Sequence, residues 1–376
     1  MKYCKKCLQP DTRPGIRFDR EGVCPPCRYA ESLEQVDWDE RKNILREITN
    51  WGKQHSQSGY DCIIGVSGGK DSTRQAIYVK EELGLKPLLV CMMYSPEQST
   101  DRGMYNVSNM IRHGFDTVTI SPGPKVWRAL ARHAFLKYGN WARATELALF
   151  SSVPRLAIAY QIPLILWGEN PALTLGELSN DSMGWDGNQM KNGNTLGGGD
   201  ITWLLEAGLK EHQILQYSYP SNEDMAAANL RIVYLGYFWQ KWSKLDNGSF
   251  SALHGIDIRS MHPSKSGDLF GVDALDDDWV IMNQFVKYLK FGFAKVTETV
   301  NEEIRFGRMA REDAIGLVER YDGKCHKENI ESFCRFIDIA EEDFWKHLES
   351  FVNYNIFVKV DNHQWKLKRP VGTDHE

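Results

Sequence analysis

The stretch DCIIGVSGGKDSTRQAIYV, residues 61–79, constrains the fold of this chain more than any other. An apolar run breaks at SGGKDS, and apolar residues then return at helical spacing, which predicts a buried strand, a tight loop and a helix. Such a loop presents backbone N–H groups at a helix N-terminus, where the helix dipole favours an anion. Gly68 and Gly69 let the backbone approach that anion closely. We therefore expect a phosphate-binding loop.

The spacing of this loop excludes two common phosphate loops. Three residues separate Gly65 from Gly69, where the P-loop of GTPases has four, and Asp71 follows Lys70 where that loop has Ser or Thr. The run also lacks the G-x-G-x-x-G pattern of dinucleotide-binding turns. It resembles instead the SGGxDS signature of the PP-loop ATP pyrophosphatases, enzymes that cleave ATP to AMP and pyrophosphate while adenylating a carbonyl oxygen.

This resemblance implies roles for individual residues. Lys70 and Asp71 become catalytic candidates, with Asp71 a candidate Mg²⁺ contact, and Met92 and Tyr94 at the end of the second strand are expected near adenine. The residues expected to hold pyrophosphate are Ser67, Gly68, Gly69, Lys70, Asp71 and Ser72.

Strand and helix patterns alternate after the loop. Apolar runs at 62–66, 87–93 and 116–120 are separated by helical patterns that end at Gly84 and Gly114. Continuous rather than alternating apolar strands predict an α/β fold with a parallel sheet that is covered on both faces. Ligands of such sheets bind at the carboxyl ends of the strands.

A further buried strand is predicted at 163–170, and it ends in Glu169 and Asn170. Glu169 is therefore a candidate catalytic carboxylate and Asn170 a candidate substrate contact, although a solvated strand end explains both residues as well. We expect the PP-loop domain to span residues 59–275, with a Gly- and Asn-rich loop or lid over about 171–275. Residues 276–376 are predicted to be helical.

Cysteine spacing predicts a metal site ahead of this domain. The pairs CKKC and CPPC place Cys4, Cys7, Cys24 and Cys27 where two tight turns can present four thiolates to one tetrahedral ion. We interpret residues 1–36 as a zinc ribbon with structural Zn²⁺ rather than a redox pair, and residues 37–58 as a linking helix. The lone cysteines are expected to be small buried side chains.

The overall charge limits the class of partner. Lys and Arg together number 45 against 50 Asp and Glu, so a formal charge of −5 gives no general attraction to nucleic acid or anionic lipid. No apolar run approaches the ~20 residues of a membrane span, and the N-terminus lacks a signal-peptide pattern. We expect a cytoplasmic protein with no membrane partner.

Taken together, the paired cysteines, the central SGGKDS and the block YLKFGFAKVTETVNEEIRFGRMAREDAIGLVERYDG at 288–323 resemble the N-acetyl sugar amidotransferases of bacterial surface-glycan biosynthesis. The resemblance implies an enzyme that uses ATP to replace the acetamido oxygen of a nucleotide-activated or sialic-acid-like sugar by nitrogen, giving an acetamidino sugar. Lys290 is then a catalytic candidate and Arg305 a triphosphate contact, with solvated surface charge as the alternative. Trp167 and Trp185 are candidates for stacking on the sugar, although most tryptophans belong to cores.

The resemblance also implies partners. None of the four lone cysteines lies on the Gly-flanked elbow that a triad glutaminase needs, so ammonia is expected from a separate glutaminase together with a cyclase-like barrel.

Two other functions fit the sequence, and one further motif has two interpretations. A tRNA-thiolating PP-loop enzyme requires catalytic cysteines and a basic RNA surface, and a noncatalytic module would use the nucleotide fold only as a sensor. The acidic run Asp276 to Asp278 fits a metal site or a solvated helix start, and the sequence favours the helix start.

Overall fold

A five-stranded parallel sheet lies at the centre of the computed structural model, which describes residues 1–176, 184–193 and 196–374. The strand order is β3-β2-β1-β4-β5, so the first strand is central and the chain reverses its winding direction between β1 and β4. Ile63 in β1 lies opposite Leu88 on one side and Ile165 on the other. The sheet strands are β1 (Cys62–Val66), β2 (Pro87–Met92), β3 (Asp116–Ile120), β4 (Leu164–Trp167) and β5 (Arg231–Tyr234).

Helices cover both faces of this sheet and form most of the C-terminal part, as predicted. Over the described ranges they are α1 (Pro25–Ser32), α2 (Trp38–His55), α3 (Lys70–Glu81), α4 (Asp101–Arg112), α5 (Pro124–Tyr138), α6 (Ala142–Tyr160), α7 (Pro171–Thr174), α8 (Thr202–Leu205), α9 (Asn222–Ala227), α10 (Lys244–Leu253), α11 (Pro263–Ser266), α12 (Trp279–Phe291), α13 (Lys295–Arg305), α14 (Arg311–Tyr321), α15 (Lys327–Ile337) and α16 (Glu341–Glu349).

The two faces of the sheet bury separate sets of side chains. Ile63 and Ile165 belong to a core cluster with α5 and α6, whereas Ile64 and Leu166 belong to a second cluster with α2, α3 and α4. Alternate residues of a strand point to opposite faces, so a strand covered on both faces must be apolar throughout. The continuous apolar runs of the sequence therefore predicted this arrangement correctly, and α2 is the predicted linking helix.

Two strand regions were not predicted. Strand β5 lies within residues 171–275, which the sequence indicates as a loop or lid, and it pairs with β4 over only four residues. The strands β6 (Phe357–Asp361) and β7 (Gln364–Leu367) form an antiparallel hairpin in the region predicted to be helical. Strands this short carry too few residues to show a periodicity, and tertiary pairing rather than propensity decides their conformation.

The C-terminal helices share the core of the sheet domain. The ring of Phe135 on α5 stacks on Phe344 of α16 with centroids 5.1 Å apart, and the indole of Trp141 meets Trp279 of α12 edge to face. The N-terminal segment also packs on this part, because the backbone N–H of Leu8 donates to the Asn301 side chain at 2.7 Å. The N-terminal segment thus contacts α13.

A buried aspartate fixes the start of α13. The Asp322 carboxylate accepts hydrogen bonds from the backbone N–H groups of Ala294 at 2.8 Å and Val296 at 2.9 Å, and from the Thr297 hydroxyl at 2.6 Å. These N–H groups belong to the first turn of α13, where a helix leaves donors without intrahelical partners. Asp322 therefore caps α13 from the end of α14.

Among the described residues, no helix combines the length and apolar character needed to cross a bilayer.

Removing one acceptor oxygen from this cap tests its contribution. We expect Asp322→Asn to lower the free energy of unfolding by about 1–3 kcal/mol, because an amide supplies one acceptor where the carboxylate supplies two. Urea denaturation followed by circular dichroism measures the change. Asp313→Asn on the exposed side of α14 is the matched control, with an effect within about 1 kcal/mol. Equal stability of the two variants would contradict the capping role.

Candidate active site and metal centre

The predicted phosphate loop joins β1 to α3 at the point where the winding of the sheet reverses. Gly68 has a φ of +75°, and a Cβ built on it would lie 2.9 Å from Asn106 Cβ and 3.0 Å from Val107 N. Any larger residue would therefore collide with α4 as well as strain the backbone. Gly69 is the residue just before α3. The loop has the strand, turn and helix N-terminus that the sequence predicted.

A cavity of about 200 Å³ lies over this loop. It brings together many of the residues singled out in the sequence, from the loop and from the carboxyl ends of β2 and β4. The predicted residues that line it are Ser67, Gly69, Lys70, Asp71, Ser72, Met92, Trp167 and Glu169. Other lining residues come from α6, represented by Leu149, Ser152 and Val153, and from the segment of Val272, Ala274 and Asp276.

Lys70 is held under the loop by two carboxylates. Its Nζ lies 2.9 Å from Asp71 Oδ2 and 2.8 Å from Asp273 Oδ1, and only 7% of its side chain is exposed. Burial alone lowers the pKa of Lys70, but the charges of Asp273 and Asp71 outweigh it and hold the pKa well above its ordinary value. Lys70 is therefore a permanent cation within the loop.

Two more lysines converge on Asp273, and sequence reasoning missed both of them. Lys244 on α10 lies 3.5 Å from Asp273 Oδ2, and Lys295 on α13 lies 3.7 Å from the same atom. Burial raises the pKa of Asp273, but the three lysine charges lower it far below its usual range. Three cations share one buried carboxylate here. Of these three lysines, Lys70 is the one among the residues that line the cavity, where its charge can offset that of a polyphosphate.

Asp71 is the predicted Mg²⁺ contact, and its position is compatible with that role. It lines the cavity with 42% of its side chain exposed, and its Oδ1 accepts a hydrogen bond from Asn247 at 2.6 Å. Carboxylate oxygens beside a phosphate site are the ligands that Mg²⁺ uses in nucleotide enzymes. Asp71 would hold the ion if Mg²⁺ enters with ATP.

The two candidate residues at the end of β4 differ in exposure. Glu169 is exposed in the cavity, as a residue that contacts substrate must be. Asn170 is only 2% exposed; its side chain accepts from Leu173 N at 3.3 Å and donates to the Gly236 carbonyl at 3.2 Å. Asn170 thus caps α7 at the back of the strand end.

The acidic run lies at the start of α12, as expected, but it is paired and half-buried to buried rather than solvated, so that part of the expectation was wrong. Asp277 is 3% exposed and accepts from Trp279 N, while Asp278 binds Arg102 and Arg259 at 2.7 and 2.9 Å. Burial, with the nearby Asp276 carboxylate, raises the pKa of Asp277 to about 8.

Arg259 explains this burial, because its guanidinium donates to the carbonyls of Asp273 and Ala274 and fixes the segment against the cavity. Asp276 lines the cavity and hydrogen-bonds with the Tyr94 hydroxyl. Tyr94 itself lines a smaller adjoining cavity with Met92.

Three predicted residues lie apart from the cavity, and none of them is among the described residues that line it. Lys290 Nζ donates to the Tyr138 carbonyl at 2.6 Å. Arg305 donates to the Leu173 carbonyl at 2.9 Å and approaches the sulfurs of the cysteine cluster. Trp185 lies beside β5, where its carbonyl accepts from Tyr234 N at 2.8 Å. Trp167, in contrast, lines the cavity and stacks on Phe150.

The four N-terminal cysteines form one cluster, as predicted. Their sulfurs all lie within 4.8 Å of one another, and Cys4–Cys27 and Cys7–Cys24 are 4.0 and 3.7 Å apart. Four thiolates at the 2.3 Å Zn–S distance of a tetrahedral site would be about 3.8 Å apart. Backbone N–H groups point at these sulfurs, among them Cys24 N at 3.2 Å from Cys4 Sγ. The cluster therefore fits a structural metal ion.

Arg305 is the charge partner of this cluster. Its Nη2 lies 3.8 Å from Cys7 Sγ and 4.0 Å from Cys24 Sγ. Four thiolates and one divalent ion carry a net charge of about −2, which a buried guanidinium offsets. The same guanidinium binds the carbonyl of Leu173 on α7, so Arg305 joins the metal centre to the segment just after Glu169.

Comparison with known proteins gives one family and one curated relative. Residues 269–370 match the family described as "LPS biosynthesis protein WbpG-like, C-terminal domain". The matched segment includes Asp273 and Lys295, one of the three lysines near that carboxylate. Over an aligned stretch of 115 residues, the chain is 26% identical to an uncharacterized protein of Methanocaldococcus jannaschii. This stretch covers 29% of this chain and 39% of the relative. The chain thus spans well under half the length of that relative.

Solved structures give remote likenesses to this fold. The NMN synthetase of Francisella tularensis is 15% identical, with 58% of this chain and 88% of that chain covered and a TM-score of 0.26. The NH3-dependent NAD synthetase of Campylobacter jejuni is 14% identical, with 60% and 100% covered and a TM-score of 0.27. The U34-tRNA thiolase NcsA of Methanococcus maripaludis is 15% identical, with 61% and 71% covered and a TM-score of 0.25. We base no functional argument on likenesses this remote.

The identity of the metal is open to direct measurement. We expect the purified protein to contain about one zinc ion per chain, measured by plasma mass spectrometry, and to lack iron–sulfur absorbance, because the cluster has the size of a single tetrahedral site. Replacing Cys4 and Cys24 together by serine should remove the zinc and destabilise the N-terminal segment. Cys334→Ser, a buried cysteine outside the cluster, should keep it. Iron with visible absorbance in the purified protein would contradict the zinc assignment.

Proposed function

We propose that this chain is an ATP-dependent amidotransferase that adenylates the acetamido oxygen of a nucleotide-activated or sialic-acid-like sugar and exchanges it for ammonia. The observation that carries the proposal is the Ser67–Ser72 loop with its buried cation Lys70, which lines one cavity together with Glu169. Lys244 and Lys295 lie near Asp273, the carboxylate that binds Lys70. A glycan substrate is supported by the match of residues 269–370 to a family of LPS biosynthesis proteins.

In the first half of the proposed reaction, the loop N–H groups and Lys70 hold the β- and γ-phosphates of ATP. The acetamido oxygen attacks the α-phosphorus, the bond to the bridging oxygen of pyrophosphate breaks, and pyrophosphate leaves while held by the loop and Lys70. Mg²⁺, when bound at Asp71, neutralises charge on the phosphate oxygens. The chain contributes alignment and charge stabilisation rather than covalent chemistry.

In the second half, ammonia adds to the imidoyl carbon and AMP departs with the former acetamido oxygen. An amide oxygen is a poor leaving group, and adenylation converts it to a phosphate ester that a weak nucleophile can displace. Water would regenerate the amide, so the cavity must exclude it. Trp167 offers an aromatic face beside Glu169 on which the sugar can stack.

The position of the cysteines speaks against a thiolase. No cysteine is among the described residues that line the cavity. Cys62 and Cys91 lie within β1 and β2 and are 0% and 2% exposed. A sulfur-transfer enzyme needs a reactive, accessible thiolate at its site.

The same cysteines bear on the source of nitrogen. Cys62 and Cys91 are inside strands and Cys334 is inside α15, so none of these occupies the strand-to-helix turn of a triad nucleophile. We propose that a separate glutaminase, similar to the one in histidine biosynthesis, supplies ammonia together with a cyclase-like barrel.

Removing the charge of Asp71 tests the ATP site. We expect Asp71→Asn to lower sugar-dependent pyrophosphate release on the order of a hundredfold or more, because a charge at the metal position is lost without a change of shape. A coupled pyrophosphate assay with nucleotide-linked diacetamido sugars measures this, and thermal melting verifies the fold. Asp101→Asn, at an exposed position on α4, should release pyrophosphate like the wild type. Undiminished turnover of Asp71→Asn would remove this residue from the site.

The nitrogen source gives a second test. We expect the isolated chain to form acetamidine from high ammonium at alkaline pH and not from glutamine, since free ammonia is the nucleophile and most of it is protonated near neutral pH. Mass spectrometry of the sugar product distinguishes the two, because the exchange of oxygen for nitrogen changes its mass. Adding a glutaminase of the histidine-biosynthesis type with its barrel partner should restore glutamine use. Glutamine-dependent product from the isolated chain would contradict the partner proposal.

A further inference from the structure

A half-buried glutamate on α6 lies on the helix face that borders the cavity, and its sequence pattern gives no sign of this position. Glu146, Leu149 and Val153 are spaced three and four residues apart, so they share one face of the helix. Leu149 and Val153 line the cavity. Phe150 stacks on Trp167 with ring centroids 5.1 Å apart, which fixes this part of α6 against the end of β4. Glu146 therefore continues the cavity wall by one helical turn.

The carboxyl group of Glu146 has an open acceptor. Its Oε2 is buried and has no hydrogen-bond partner among the described residues. A buried acceptor left unsatisfied costs about 1–3 kcal/mol, so it indicates a donor that binds there during function. The donor must be small, because the oxygen is enclosed by protein.

The charged groups facing Glu146 come from three elements. Glu169 faces it from the end of β4, Lys287 from α12 and Arg143 from its own helix. Burial, and next the Glu169 carboxylate, raise the pKa of Glu146 to about 7. Lys287 is already bonded to Glu298, with Nζ 2.6 Å from Oε1. Glu146 and Glu169 thus form a pair of carboxyl groups in which one titrates near neutrality.

We propose that Glu146 and Glu169 form a site for an ammonium ion and that Glu146 removes its proton before nitrogen attacks the activated sugar. This proposal rests on the proposed function and assigns the residues of its second half. Ammonium is a small cation that offers only N–H donors, which matches two carboxyl groups and a buried unpartnered oxygen. Glu169 is exposed in the cavity, and its charge acts on Glu146.

The proton balance of the step is complete. One N–H bond of ammonium breaks and its proton passes to the Glu146 carboxylate. The freed lone pair forms the new C–N bond at the imidoyl carbon, and the C–O bond to AMP breaks with its electron pair on the phosphate oxygen. The sugar nitrogen gives up its amide proton to solvent when the imidoyl adenylate forms, so the other three hydrogens stay on the amidinium product and one of them moves to that nitrogen. Nothing is oxidised or reduced.

A nucleophile that needs no deprotonation distinguishes proton removal by Glu146 from a purely structural role of this residue. Hydroxylamine is largely unprotonated near neutral pH and would give the N-hydroxyamidine. With Glu146→Gln, we expect kcat with ammonium to fall by about a hundredfold, the order of general-base catalysis, while kcat with hydroxylamine falls by less than about threefold. Exchange of radiolabelled pyrophosphate into ATP, measured with sugar and without ammonium, should also fall by less than about threefold. Glu206→Gln, an exposed glutamate, is the control and should match the wild type in all three assays.

Each outcome decides one proposal. Equal losses with ammonium and hydroxylamine, or unchanged use of ammonium by Glu146→Gln, would overturn the ammonium site while leaving adenylation standing. Absence of sugar-dependent exchange in the wild type would overturn the proposed function itself, and the site with it.

If Glu146→Gln fails to fold, the dependence of the wild-type kcat on pH still tests the role of Glu146. At saturating ammonium, kcat should rise through pH about 7 as Glu146 loses its proton. With hydroxylamine this rise should be absent. Glu146→Asp, which keeps a carboxylate, should retain the rise with ammonium. Identical profiles with the two nucleophiles would contradict the role of Glu146.

Discussion

The buried carboxylate of Asp273 holds the active-site region together. It binds Lys70 from the phosphate loop and lies near Lys244 of α10 and Lys295 of α13, so one side chain joins three elements that are far apart in sequence. Removing one partner from a buried ion pair costs about 3–5 kcal/mol, because the other charge is left without compensation. The three lysines can be buried together only while an anion lies between them. Asp273 supplies that anion, which makes the cluster a stable framework next to the phosphate loop.

The metal centre extends this framework to the other side of the cavity. Arg305 contacts two sulfurs of the cysteine cluster and the carbonyl of Leu173, and Asn170 fixes the start of the same short helix. The position of Glu169, the residue between β4 and this helix, therefore depends on the N-terminal segment. Asp273 and Arg305 both lie in the segment that matches the WbpG-like domain. That domain supplies the charges on which the phosphate loop and the metal centre depend.

The parts of this structure that the sequence predicts are the ones encoded by neighbouring residues. The strand, SGGKDS loop and helix follow one another directly, and each cysteine pair lies within one turn, so local spacing suffices to predict them. The contacts of Asp273 with Lys244 and Lys295 join residues without any shared motif, and only the tertiary fold brings them together. Glu146 lies in an ordinary helical pattern and gains its properties from burial beside Glu169. The acidic run at Asp276 was misjudged because Arg259, which buries it, lies well before it in the chain.

In the proposed reaction, the acetamido oxygen of the sugar becomes an oxygen of the adenylate in the cavity over the phosphate loop. The most direct measurement follows that oxygen with a heavy isotope, placed in the acetamido group of the sugar substrate, and analyses the AMP by mass spectrometry after turnover with ATP and ammonium. The account predicts that the label appears in the phosphate of AMP, one atom for each acetamidine formed. Label found in water, in inorganic phosphate or still in the sugar product would contradict adenylation.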